Sequence, residues 1–361
     1  MARFLISGYY GYGNLGDEAL ARIIVAQLRT RHHDAQIDVL SADPEGTAHE
    51  LRVDATPRMD LGLVKKSIER ADFVLSGGGG LLQNATSLKS LLYYVGIIRT
   101  AIHAEKPTFV FAQSVGPLDF WGKQTVRECC RGLTAASVRD ERSRVLLASL
   151  VNNVPIERTG DPVFLYEPPE TPVDLAPYGL GDASEPLVVF CVRKTANWND
   201  AVTVLSSAAD RLAREHGARV AFVPFAGAAD AEAATVIIRK CRTAPVLVEL
   251  DDLDSVAAAI ARARLVVGVR LHSLILAARF AVPFLALPYD PKVSGLTEEL
   301  EYPLPPLWAP GGRIAQRDLD TLVDRAWNEG DALRAHLRDH AERQRAAAGL
   351  NFEMLDRYVR A

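Results

Sequence analysis

The sequence predicts an α/β protein of two Rossmann-like domains facing each other across a cleft, followed by a C-terminal helical tail. Three observations carry this. Short β-branched runs alternate with longer stretches whose apolar residues recur at helical spacing, the signature of parallel sheets with crossover helices. The alternation stops at residues 167–186, "EPPETPVDLAPYGLGDASEP", where five prolines and two glycines leave no apolar periodicity. It then restarts and continues for a second domain, and a chain of 361 residues suits two domains better than one.

Taken in order, "RFLISG" is a first strand and "LGDEALARIIVAQLRTR" a helix with apolar residues on one face. "QIDVLSA", "ADFVLSGG", "PTFVFAQSVG" and "AASVRD" follow as strands, with "ATSLKSLLYYVGIIRTAIHAE" and "KQTVRECCRGL" as helices between them. These make a first domain over 1–166, with 167–186 as linker. The second domain, 187–330, alternates "PLVVFCVRK", "ARVAFVPFA", "PVLVEL", "RLVVGVR" and "PFLALPYD" with four helical patterns, the last of them "SLILAARFA". Residues 331–361 form a charged helical tail with no strand left to serve. Such sheets bind ligands at the C-terminal ends of their strands, so the chemistry is expected in strand-to-helix loops.

Composition narrows the partners. Nearly half the residues are hydrophobic, 24% are charged and the formal net charge is −4, which makes no case for nucleic acid. The N-terminus lacks a signal peptide's apolar core, and no apolar run approaches the ~20 residues that span a bilayer. Cys129, Cys130, Cys191 and Cys241 lack metal-ligand spacing and read as structural thiols in a reducing cytosol. A cytoplasmic protein without a metal or resident cofactor is the expectation.

Two glycine-rich loops stand out in the first domain. "SGYYGYGNLGDEAL" has neither the dinucleotide nor the P-loop spacing, so neither reading fits. Its Asp17 and Glu18 open a helix, where acids are favoured as caps and equally available for catalysis. "SGGGGLLQN" follows a strand with four glycines, more than a turn needs, and so suggests close approach of a ligand to backbone. Gln83, Asn84, Thr86 and Ser87 then offer the neutral hydrogen bonding that suits hydroxyl groups. Arg139 continues the strand "AASV" and is a candidate anion ligand, while Asp140, Glu141 and Arg142 read as a solvated helix start.

The second domain concentrates positive charge. Arg193 ends one strand, Arg270 ends another with His272 beginning the next helix, and Lys292 follows a third. A single basic side chain there could snorkel over apolar chain. Several emerging from strand ends of one parallel sheet repel one another unless an anion sits among them. A small polyanion with phosphate or carboxylate groups is the implied ligand, since the arginine fork matches both. Beside Arg270 and in a helix's first turn, His272 is disfavoured as a cation and is placed to carry a proton.

These motifs resemble a known family. "GYYGYGNLGDEAL", "SGGGGLLQNATS", "QSVGP", "VRDERS", "TGDPVF", "VPF", "RLHSLILAA" and "YDPKVSGL" occur in the order found in CsaB-like polysaccharide pyruvyl transferases, from the first strand to about Leu296. "GYG" and four glycines stand where the family often has "GFG" and three. The resemblance implies a GT-B-like fold and transfer of the pyruvyl unit of phosphoenolpyruvate onto a sugar as a cyclic ketal, with release of phosphate. It further implies a lipid-linked acceptor whose N-acetylmannosamine becomes 4,6-pyruvylated, within a cell-wall polymer that anchors S-layer proteins. Work at the inner face of the membrane follows from such an acceptor, with peripheral membrane contact open, although the arginine-rich tail reads first as an ordinary solvated helix face.

On this reading the donor ligands are Arg139, Arg193, Arg270, His272 and Lys292, with His272 as the general acid. Asp17 is the candidate for acceptor orientation or general base. Asn14, Asp17, Gly78, Gly79, Gln83 and Asn84 are the acceptor contacts, the first domain taking the acceptor and the second the donor. Two other classes of function stay open at the level of sequence: a GT-B glycosyltransferase using a nucleotide sugar, and a non-catalytic saccharide-binding protein.

Overall fold

In the computed structural model, residues 2–85, 87–181, 184–250, 252–287, 291–307 and 315–359 are described. The chain divides into two compact units, residues 1–165 with 344–361 and residues 166–343. Pro288, the Tyr289 and Asp290 of the "YDPK" motif, Thr86 and Arg360 lie outside the described residues.

The first unit is a parallel sheet with helices between its strands. In chain order it runs β1 (Arg3–Tyr10), α1 (Leu15–Arg31), β2 (Gln36–Ser41), α2 (Pro44–Leu51), β3 (Asp54–Pro57), α3 (Leu61–Arg70) and β4 (Phe73–Gly79). It continues with α4 (Leu88–His103), β5 (Thr108–Gln113), α5 (Phe120–Cys129), β6 (Ala135–Val138), α6 (Glu141–Ala148) and β7 (Ile156–Arg158). The strand order is β3-β2-β1-β4-β5-β6-β7. Every pairing is parallel, with Leu5 of β1 opposite Asp38 of β2 on one side and Val74 of β4 on the other. Because the chain winds one way from β1 to β3 and then resumes at β4, the order reverses between β1 and β4, which is where open sheets bind ligands.

The second unit repeats the plan: β8 (Leu187–Cys191), α7 (Trp198–His216), β9 (Arg219–Phe222), α8 (Gly227–Lys240), β10 (Val246–Leu247), α9 (Leu253–Arg262), β11 (Leu265–Gly268), α10 (Leu271–Arg279), β12 (Phe284–Ala286), α11 (Pro291–Glu299) and α12 (Gln316–Asn328). The order is β10-β9-β8-β11-β12, all parallel, so its switch point lies between β8 and β11. β8 and β11 are buried along their whole length, which is why they read in sequence as unbroken apolar runs.

The last helix, α13 (Gly330–Val359), contributes to both units. Its residues up to Arg343 belong to the second unit and those from Gln344 to the first. There Phe352, Met354 and Leu355 join Phe4, Ile6 and Phe111 in the core, and Asn351 binds both Thr159 (2.8 Å) and the carbonyl of Gly160 (2.8 Å). Arg357 pairs with Glu157 and Arg31 with Asp356. Among the described residues no helix is long and apolar enough to cross a membrane.

Candidate active site residues at the two switch points

In the first unit, the loop after β1 carries Asn14 and Asp17 to the switch point. Asn14 is the N-cap of α1, yet its amide donates to the Asp17 carboxylate and makes no capping bond to the helix. Glu18 settles the ambiguity of the two adjacent acids. Its Oε1 accepts from the N–H groups of Gly11 (2.9 Å) and Tyr12 (3.2 Å), pinning the glycine-rich loop. Burial, with Asp17 adding repulsion, pushes its carboxyl up to about 7 against the lowering effect of those two bonds. Asp17 instead accepts from Asn14 and lies against Gly79.

The four-glycine run has a packing reason. Gly78 and Gly79 take positive φ (+73° and +79°), and a Cβ on them would come within 3.1 Å of Leu20 and 3.0 Å of Asp17 Oδ1. Absence of side chains lets α1 lie directly on the end of β4, which brings Asp17 against the Gly79 backbone. Gln83 is half-buried in the loop that follows, and Asn84 Oδ1 accepts from the N–H of Asp119 (3.1 Å), tying that loop to the start of α5.

Arg139 leaves the end of β6 but stays buried. Its Nε donates to Ser114 (2.8 Å) and its Nη1 pairs with the buried Asp161 carboxylate. It thus locks the loops after β5, β6 and β7 together, a role that an anion-ligand reading of the sequence did not foresee. Asp140 caps α6 through the Ser143 N–H (2.7 Å), as its position at a solvated helix start suggests.

Arg58 was not visible in the sequence at all. It follows the short β3, is only 5% exposed, and donates to the Gly8 carbonyl (3.0 Å) and the Tyr94 hydroxyl (3.1 Å). The rings of Tyr93, Tyr12 and Tyr94 surround its guanidinium at 4.4, 5.2 and 5.3 Å. Its buried Nε has no hydrogen-bond partner among the described residues. This caged cation sits under the first glycine loop and holds Gly8 in place.

In the second unit, three neighbouring strands deliver the basic residues. Arg193 follows β8, Arg270 and His272 follow β11, and Lys292 lies in the first turn of α11 beyond β12. Arg270 is the N-cap of α10 and His272 its second residue. Arg270 presents a two-nitrogen fork to Asp230, with Nε at 2.8 Å and Nη2 at 2.5 Å, and its Nη1 has no protein partner among the described residues. Asp230 is only 1% exposed and also accepts from the N–H groups of Phe225 (3.2 Å) and Ala226 (3.0 Å). The carboxylate therefore aims the guanidinium and leaves one edge for a ligand. Asp230 is a second residue missed in the sequence, where an acid in a helix's first turn looks like an ordinary dipole partner.

The helix starts agree with this placement. α2, α3, α5, α6 and α9 are closed by Asp N-caps and α4 by Ser87, whereas α1, α7 and α10, which follow the switch-point strands β1, β8 and β11, have no side-chain cap, a state they share with α8 and α12. Their first-turn N–H groups are not taken by a capping side chain, the condition for binding an anion. The cysteines take no part: Cys130 and Cys191 are pushed up to about 12 by burial and stay as thiols. Among the described residues no group of three His, Cys, Asp or Glu gathers to hold a metal ion.

Two doubly wound units with charged residues at their switch points define a two-domain α/β protein of the GT-B type. Solved structures share the fold. Anabaena Alr3699/HepE in complex with UDP and glucose matches with a TM-score of 0.64 at 12% identity, over 99% of this chain and 99% of that one. The S. aureus MnaA–UDP complex matches at 0.64 and 11%, over 93% and 90%. UDP-GlcNAc 2-epimerase from Neisseria meningitidis bound to UDP-GlcNAc matches at 0.64 and 8%, over the whole of both chains. Identities this low speak for the fold alone. The family is given by the sequence itself: the polysaccharide pyruvyl transferase model matches residues 14–291, and the chain belongs to that family. No curated protein gives a significant match.

Proposed function

We propose that this transferase moves the pyruvyl group of phosphoenolpyruvate onto two hydroxyls of one sugar and releases phosphate. The observation that supports it most is the basic edge formed by Arg193, Arg270, His272 and Lys292 after three adjacent strands. A donor with both carboxylate and phosphate suits a cluster of two arginines and a lysine, since the arginine fork matches both groups. The acceptor is a lipid-linked saccharide whose N-acetylmannosamine is ketalised at O4 and O6, so the reaction runs at the cytoplasmic face of a membrane.

His272 protonates C3 of the enol, which becomes the methyl group, and C2 takes on oxocarbenium character. One sugar hydroxyl adds to C2 and gives up its proton, for which Asp17 is the candidate base. The C2–O bond to phosphate then breaks, and the second hydroxyl adds to close the ketal as its proton leaves. Arg193, Arg270 and Lys292 hold the anion and stabilise the departing phosphate. Arg139, held by Asp161, supports the acceptor-side loops from within the first unit.

The test is phosphate release from phosphoenolpyruvate across a panel of saccharide acceptors, with calorimetric titration of phosphoenolpyruvate against UDP-sugars. Arg270→Ala should weaken donor binding by about ten- to a hundredfold, the cost of one charge-assisted contact. His272→Ala should bind donor nearly as well and release no phosphate. Normal turnover by His272→Ala would end the proton-donor assignment, and binding of a UDP-sugar without phosphoenolpyruvate would end the donor assignment.

A further inference from the structure

The starts of α3, α4 and α5 carry a feature that pyruvyl transfer does not use. These helices follow β3, β4 and β5 of one parallel sheet and so begin at the same sheet edge, and α4 packs against both of the others. Right-handed crossovers put all three on one face of the sheet. The four most exposed large apolar side chains among the described residues are Met59 (74%), Trp121 (70%), Leu61 (69%) and Phe120 (65%). All four stand at these helix starts, and exposed Leu88 and Leu92 on α4 continue the row between them. They are not frayed core: Val64 and Ile68 supply the buried face of α3, and Val126 that of α5.

Near these helix starts four lysines, Lys65, Lys66, Lys89 and Lys123, stand against three acids, Asp60, Glu69 and Asp119, whereas the chain as a whole carries −4. Lys66, Lys89 and Lys123 are exposed and make no ion pair among the described residues, while Lys65 meets Glu69 only at 3.8 Å. Two of the acids also cap their helices. Asp60 accepts from the N–H groups of Gly62 and Leu63 (both 3.0 Å), and Asp119 from that of Gly122 (2.7 Å). Apolar tips with an aromatic pair, flanked by unpaired lysines, have the chemistry of a surface that enters the headgroup layer of a bilayer.

We infer that the N-terminal ends of α3, α4 and α5 form a docking surface for an anionic lipid bilayer. Apolar side chains from Met59 to Trp121 enter the headgroup region, and Lys66, Lys89 and Lys123 meet anionic headgroups. A second copy of the chain fits less well, since a two-fold contact through this row would gather the lysines of both copies in one interface. The inference stands on this surface and does not need the donor or acceptor assignments. With them, it turns the acceptor-bearing sheet edge toward the membrane that holds a lipid-linked substrate.

The test is co-sedimentation of the full chain with phosphatidylcholine vesicles containing about a third phosphatidylglycerol, and with pure phosphatidylcholine. Binding is expected to the anionic vesicles, weaker to the neutral ones, and to fall with added salt. Phe120→Ser with Trp121→Ser should weaken it at least about tenfold. Lys66→Gln, Lys89→Gln and Lys123→Gln should each weaken it ~fivefold. Val236→Ser, an exposed apolar site elsewhere, should leave it unchanged. No binding to anionic vesicles, unchanged binding by the aromatic pair of substitutions, or a wild-type dimer in solution that this pair dissolves would each overturn the inference. Calorimetry with phosphoenolpyruvate in the absence of lipid reads the donor assignment separately, so the two can fail independently.

Discussion

Replacing Glu18 with Gln should make the protein more stable at pH 8 and leave it almost unchanged at pH 5. The carboxyl rises from an ordinary 4.5 to about 7 in the folded chain because it is largely buried, with Asp17 adding repulsion. The folded protein therefore keeps a proton that the unfolded chain has already lost as pH climbs from about 4.5 to 7. Stability falls through that window and is level above it. A pKa displacement of this size corresponds to about 3 kcal/mol, and solvent reaching a partly buried group reduces it to about 2 kcal/mol. Gln keeps the oxygen that accepts from Gly11 and Tyr12 and removes the titration. Thermal melts of both proteins at pH 5, 6, 7 and 8 read the difference. The gap should open with pH to roughly 4–8 °C, given about 2–4 °C per kcal/mol for a unit of this size. A gap independent of pH, or a variant less stable than the parent at pH 8, would show that Glu18 does not hold its proton in the fold.

Three further outcomes are expected. Arg139→Met or Asp161→Asn alone should cost about 3–5 kcal/mol in urea denaturation by leaving a buried charge unpaired, and the double variant should cost much less than both together. Asp230→Asn should lower donor affinity about tenfold in calorimetry with little change in fold by circular dichroism, since it releases the aim of the Arg270 fork. Phe352→Ala should cost ~3–5 kcal/mol in the first unit only, seen as a lowered transition of that unit while the second is unmoved.

Central strands and their long helices were legible in the sequence because burial writes itself as composition. β5 and β8 are buried throughout and read as apolar runs, and α1 and α4 show their faces through spacing. Edge strands leave no such trace. β3, "DATP", and β7, "IER", are short, partly solvated and polar, so the sheet looked narrower than its seven strands. Losing β3 also hid Arg58, which has no local motif and is recognisable only once Gly8, Tyr12, Tyr93 and Tyr94 are folded around it.

The same division runs through the site. Arg193, Arg270, His272 and Lys292 were visible because a charged residue at the end of an apolar run has few other reasons to be there. Their order along the chain also placed them in loops on one side of a parallel sheet. The partners that give those charges their roles lie far away in sequence. Asp230 is 40 residues from Arg270, and Asp161 is 22 from Arg139. A charged tail proved to complete the first unit's core through Phe352, Met354 and Leu355, and the row from Met59 to Trp121 is assembled from three separate helix starts. By itself, then, the sequence determined the alternation of strand and helix, the family and the basic residues at the strand ends, since each is set by residues close along the chain. Only the tertiary structure decided which charges are paired, which glycines serve packing and which apolar side chains face water. Those depend on neighbours brought together by strand order, which local sequence does not encode.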